Sequence, residues 1–253
     1  MDALLTASIV FALILGGIMA GTALRKALPD EHLSQESKDV IRLGSGLIAT
    51  MAALVLSLLI SSAKTSFDTQ RNEIRQMTAN IILLDHTFEG YGPETKTIRE
   101  DIRASIDPWI DLIWHERTPK SGPGPSLALQ GPSERGYSGI LQLEPKNDGQ
   151  RFLKTQALQL VTTVVQSRFL IYEQADTAIP LPFLAVLAFW LTIIFASFSL
   201  FSDLNPTSVT ALCVFAVSAA GAIFLIMEMD QPFSGLMQIS STPLRHALAP
   251  LGP

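Results

Sequence analysis

"LVLSLLISSAKTSFDTQRNEIRQ", residues 54–76, passes from an apolar run into a charged amphipathic one with neither Gly nor Pro between. Nothing breaks a helix from Leu47 to Glu89, because only Gly and Pro carry a large helix penalty. The simplest reading is one rod of these 43 residues, roughly 64 Å long at 1.5 Å per residue. Its first half suits hydrocarbon and its second half suits water. The second half carries Ile74, Met77, Ile81, Leu84, Phe88 and Tyr91 at alternating spacings of three and four, the seam of a helix that packs along a partner. Helices of the same chain could cover that seam, or identical rods could cover one another in an oligomer; the pattern fits both.

Working outward, the whole chain is too apolar for an ordinary soluble domain. It has 48% hydrophobic and 16% charged residues and a mean hydropathy of +0.33; typical domains are about 25% charged. A span needs about 20 apolar residues. Four segments meet this: 3–24, 43–63, 179–202 and 206–227. The first has no basic residue before it, only Asp2, and is longer than the ~7–15-residue apolar core of a signal peptide, so it is expected to be a retained span. The single cysteine, Cys213, falls inside the fourth span and excludes an internal disulfide. A net charge of −5 gives no nucleic-acid footprint.

The expected fold class is an all-α polytopic membrane protein with a helical extramembrane domain inserted between the second and third spans. Residues 1–63 form a transmembrane hairpin across a polar connector, Arg25 to Arg42. Residues 64–178 form the helical domain, and 179–228 a second, tight hairpin in which Asn205 caps the fourth span and Pro206 opens it. Residues 229–253 are a polar tail. Within the domain, Gly90, Gly92 and Pro93 end the rod. Ile98, Ile102, Ile106, Trp109, Ile110 and Ile113 mark a second amphipathic helix. The Pro- and Gly-rich stretch 118–147 reads as a long irregular loop, and a third helix runs from about Gly149 to Gln174. With four spans, both termini and the large domain lie on one side of the membrane.

Small residues recur inside the spans: Gly17 and Gly21 in the first, Ala216 and Ala220 in the fourth, and Gly46, Ala49, Ala53, Ser57 and Ser61 in the second. They permit close helix approach. The stripe on the second span leads into Lys64 and Asp68 and then Arg71 and Arg75. Ala53, Ser57, Ser61 and Lys64 are therefore candidates for lining a water-filled path, or for a buried face ending in an ion pair. Glu228 and Asp230, at the end of the fourth span, are ionisable candidates for a functional site or for simple interfacial solvation. Catalytic signals are weak. His32, His86, His115 and His246 lie in separate segments, and no metal, phosphate-loop or nucleophile-elbow pattern is present. No enzyme activity, cofactor or metal is expected.

Three stretches resemble signature segments of the bestrophin-like family of bacterial membrane proteins: "SGLIATMAALVLSLLISSAKTSFD" (45–68), "ANIILLDHTFEGYGPET" (79–95) and "DQPFSG" (230–235). The resemblance covers nearly the whole chain and extends more weakly to bestrophins proper, pentameric anion or cation channels. It implies a homo-oligomer in the lipid bilayer, with the second helix of each subunit lining the pore and inorganic ions as the transported species. Leu56 and Ile60 become candidates for a hydrophobic constriction, although neither matches the aromatic neck of those channels. The calcium clasp of animal bestrophins, an acidic run, and the Arg-Phe-Pro motif are missing. The resemblance also places the protein in the inner (plasma) membrane with its large domain in the cytoplasm, whereas the four Lys/Arg of the 25–42 connector pull slightly the other way under the positive-inside rule. The competing function is a non-conducting membrane anchor or sensor whose helical domain binds a soluble partner.

Overall fold

A computed structural model describes residues 2–29, 34–114, 131–175, 179–202 and 205–251. Among the described residues the regular elements are all helical: α1 (Ala3–Ala27), α2 (Gln35–Tyr91), α3 (Lys96–Ile113), α4 (Gly131–Gln142), α5 (Asp148–Ala175), α6 (Leu181–Phe201), α7 (Pro206–Met229) and α8 (Thr242–Leu248). Short 3₁₀ turns occupy Pro93–Thr95 and Ala249–Leu251. Helices α1, α2, α6 and α7 are long and apolar enough to cross a membrane. The rod is longer than its apolar and seam residues suggested. Helix α1 runs through Arg25 and Lys26, and α2 begins at Gln35, so much of the expected 25–42 connector is helix.

The chain divides into two compact units, one of residues 1–67 with 178–230 and one of residues 68–177 with 231–253. The segment read as a separate tail thus belongs with the second unit.

In the first unit α1 packs along α6 and α7. Gly17 and Gly21 make the α1–α6 approach possible. A Cβ at Gly17 would lie 2.7 Å from the Thr192 carbonyl oxygen, and one at Gly21 would overlap the Ala196 carbonyl and the Ser199 hydroxyl. Ser199 Oγ donates to the Ile18 carbonyl at 2.9 Å, and Arg25 donates to the Ser202 carbonyl. Ala216 and Ala220 of α7 are also buried, and α2 joins the same core through Ala52, Leu59 and Ala63. Asn205 precedes α7 in extended backbone, with Pro206 in the first turn, where a missing N–H costs nothing.

In the second unit all six seam residues of α2 are buried, as are all six apolar residues expected on α3. Each such side chain contributes about 1.5–3 kcal/mol of transfer free energy. Helix α2 stops because Gly92 adopts a φ of +131°, which a residue with a Cβ rarely tolerates. Its last carbonyls are then covered: Thr95 Oγ1 donates to the Phe88 and Gly92 oxygens at 3.0 and 2.8 Å, and Gln150 Nε2 to the Tyr91 oxygen at 2.9 Å. Asn147 Oδ1 accepts the Gln150 N–H at 2.8 Å and starts α5, the expected N-cap chemistry.

Helix α4 corrects the reading of 118–147 as one irregular loop. Residues 118–130 lie outside the described residues, but Gly131–Gln142 is helical. Its glycines are contact surface. A Cβ at Gly136 or Gly139 would come within 2.8 or 2.9 Å of Ile102 or Ile98, so α4 lies flush on α3. Lys154 Nζ closes its end by donating to the Leu141 and Leu143 carbonyls at 2.8 and 2.9 Å, a basic group serving exposed C-terminal oxygens.

The α1–α6 contact is directly testable. Gly21→Ala should cost about 1–3 kcal/mol through overpacking against backbone, whereas Gly16→Ala, which meets nothing within 4 Å, should leave thermal unfolding in detergent unchanged or slightly raised. Equal melting of the two variants would refute the close approach.

Candidate pore-facing stripe of the second helix

Successive residues of a helix are rotated by about 100°, and this separates the membrane half of α2 into lanes. Ala52, Leu59 and Ala63 form the buried lane on the first unit's core, with Ile48, Ala49, Val55 and Leu56 partly buried beside it. On the opposite side two exposed lanes run together. One is bulky, with Leu47, Leu54 and Leu58, the last 70% exposed. The other carries Gly46, Thr50, Ala53, Ser57, Ser61 and Lys64, all exposed. Thr50 Oγ1 returns to the Gly46 carbonyl at 2.9 Å and Thr65 Oγ1 to the Ser61 carbonyl at 2.8 Å. The Ser57 and Ser61 hydroxyls have no hydrogen-bond partner among the described residues.

The candidates from sequence therefore divide. Ala53, Ser57, Ser61 and Lys64 share one exposed lane. Ile60 is exposed at 38% on the same side, while Leu56 leans on the core and Ala49 leaves the stripe. Glu228 is not solvated at the membrane end as a simple interfacial residue would be, since it is only 6% exposed. Asp230 is half-buried and accepts the Ile179 N–H at 3.2 Å, joining the entry of α6 to the exit of α7. Burial pushes the Asp230 carboxyl above its ordinary range, and the Ile179 hydrogen bond opposes that shift. His86 faces Glu89 at 3.5 Å in the open, and His32 and His115 lie outside the described residues. No group of three or more His, Cys, Asp or Glu that could hold a metal occurs among the described residues.

Sequence patterns gave no hint of the polar contacts inside the second unit. Arg168 is buried, donates to the Ser105 carbonyl at 3.1 Å and lies over the Trp109 ring, 5.6 Å from its centroid. Burial lowers its pKa to about 10, so it stays charged at neutral pH; the ring face and the carbonyl offset part of its desolvation. Arg99 pairs with buried Asp85 and donates to the Pro250 carbonyl at 2.9 Å. Arg245 pairs with Asp111 at 2.8 Å. Trp114 Nε1 donates to the Ile239 carbonyl at 2.7 Å, and its ring meets Phe233 edge-on at 5.0 Å. These contacts fasten residues 233–250 to α3 and the Trp114 that follows it, and Arg99 ties α3 to α2 through Asp85. "DQPFSG" was legible as a family segment, but its Phe233 had no visible partner in the sequence.

The described residues are all-helical, with four helices long and apolar enough to cross a membrane, the architecture of a membrane protein. The chain belongs to the bestrophin-like family: the family model for the bestrophin-like domain matches residues 12–244. Among solved structures, a crystal structure of a bacterial bestrophin homologue from Klebsiella pneumoniae, bearing one substitution, matches with a TM-score of 0.66, covering 99% of each chain at 14% identity. That likeness establishes a shared fold. No curated protein matches the sequence.

Trp114→Phe keeps the edge-on ring but leaves the buried Ile239 carbonyl unpaired, which should cost about 1–3 kcal/mol. The 231–251 segment should then be cut faster in limited proteolysis, with the second unit's helicity retained. An unchanged digestion rate would show that this hydrogen bond does not hold the segment.

Proposed function

We propose that the protein is an oligomeric ion channel of the inner membrane, with the exposed small-residue lane of α2 lining the pore of a homo-oligomer, pentameric by analogy with bestrophins. The observation that carries this reading is the pairing of an exposed hydroxyl lane with a fully used core lane on one helix. Hydroxyls without partners are costly against hydrocarbon, and a water-filled axis supplies the missing hydrogen bonds. The leucine lane beside it suits a neighbouring subunit or lipid. Lys64 stands at the end of the hydroxyl lane, where its charge would favour anions, and Ile60 would narrow the path just before it. The helical domain of residues 64–178, inserted between the second and third spans, is assigned to the cytoplasm on the family resemblance. The same family membership supports a channel over an enzyme.

A second reading has its own support. Phe152 and Phe169 on α5 are 69% and 54% exposed, and large exposed apolar groups suit a soluble partner. It would make the chain a non-conducting anchor or sensor.

Reconstituted liposomes discriminate between the readings. Lys64→Glu should shift the cation-to-anion flux ratio by roughly fivefold or more, the effect of about 1 kcal/mol for a unit charge about 4 Å from an ion in water. Ser57→Leu should lower flux without unfolding the protein, because Leu is favourable in a spanning helix. A wild type without flux, or variants indistinguishable from it, would favour the anchor reading.

Orientation has a separate test. A Ser126→Cys variant made in a Cys213→Ser background should resist a membrane-impermeant thiol reagent in intact cells and react after permeabilisation. Labelling of intact cells would place the helical domain outside.

A further inference from the structure

We infer that the first unit holds an anionic phospholipid between α2, α6 and α7, at the membrane end where α2 begins. A cavity of about 600 Å³ opens there between these helices, within the roughly 300–1,000 Å³ range of small-ligand sites. Helix α2 meets the core at Ala52, Leu59 and Ala63, and nearer its start Ile41, Arg42, Ser45 and Ala49 line the cavity.

The lining divides by chemistry. Phe198, Phe201 and Phe215 give it apolar walls, while Arg42 and Ser45 stand at the α2 side. Arg42 is exposed and makes no hydrogen bond or ion pair among the described residues. The nearest acid on its helix is Asp39, which accepts from Gln35 Nε2 at 3.2 Å instead. The apolar run of the second span begins at Leu43, so Arg42 lies at the level where lipid headgroups sit. A guanidinium at that depth binds a phosphodiester through paired N–H donors, and aromatic walls suit an acyl chain. A second copy's apolar helix would fill the cavity but leave the cation desolvated without an anion. A phospholipid satisfies the walls and the charge together, and its binding does not depend on whether the protein conducts.

Native mass spectrometry of the full-length protein, equilibrated in detergent with phosphatidylglycerol or phosphatidylcholine, tests this. The wild type should retain phosphatidylglycerol about fivefold better, the equivalent of about 1 kcal/mol for one cation near an anionic lipid. Arg42→Gln should abolish that preference. Ala211→Phe, which fills the cavity wall, should lower retention of both lipids, with an unchanged circular-dichroism spectrum showing that it is folded. Millimolar inorganic phosphate should leave the lipid in place. Equal retention of the two lipids by the wild type overturns the proposal without any variant. So does a preference that survives Arg42→Gln. Displacement by inorganic phosphate would make this a free-phosphate site, and a photo-crosslinker at Phe198 joining two chains would make it a subunit contact; either result also overturns the proposal.

Discussion

Everything in this fold depends on the helix from Gln35 to Tyr91 remaining unbroken. Inside hydrocarbon every backbone N–H and C=O must be paired within the segment, and an α-helix does this residue by residue. The same local bonding continues for as long as no residue forbids it. None does until Gly92, whose left-handed φ ends the helix. A loop after the membrane half would have left its flanking carbonyls and amides to be satisfied elsewhere. Continuity removes that demand and fixes the rotational phase of every side chain from the start of the helix to its end.

Phase is what gives the small residues their different meanings. In sequence Gly17 and Gly21, Ala216 and Ala220, and the Ala53–Ser57–Ser61 series look alike, each with small side chains four residues apart. In the structure the first two sets are consumed within the chain, α1 pressing its glycines onto the α6 backbone and α7 turning its alanines into the core. The third remains exposed because α2 already uses Ala52, Leu59 and Ala63 for the core. A pattern shows that close approach is possible. Only the packing of the other spans shows which face is left over, and for this reason the α2 series was legible as a stripe while its outward direction was not.

The same distinction governs what the sequence revealed of the second unit. Periodicity located the seam of α2 and the apolar face of α3 residue for residue, because burying a helix face imposes a 3.6-residue repeat whatever the partner is. Helix α4 escaped because Gly and Pro carry two opposite meanings. At a chain reversal they punctuate, as at Gly92 and Pro93. On a helix laid flush against another they are the contact itself, as at Gly136 and Gly139. The Arg168–Trp109 stack and the clamps on residues 233–250 escaped for another reason: their partners lie tens to more than a hundred residues apart, and no local rule pairs them.

The two ends of the α2 membrane segment also place different physical demands on their cations. Arg42 stands near the start of the helix, beside a cavity with aromatic walls. Lys64 stands one residue beyond Ala63 of the core, and it shares its exposed lane with Ser57 and Ser61. A guanidinium is weakly hydrated and offers fixed, planar donors, which suits a stationary phosphodiester; an ammonium is a compact, strongly hydrated charge that acts at a distance. Exchanging the two would set a mobile point charge against the cavity and a multidentate anion trap on the hydroxyl lane. A trap that holds its anion slows passage, since conduction requires binding weak enough for release. Arg at one end and Lys at the other are thus the residues that the proposed lipid contact and the proposed ion path would each require.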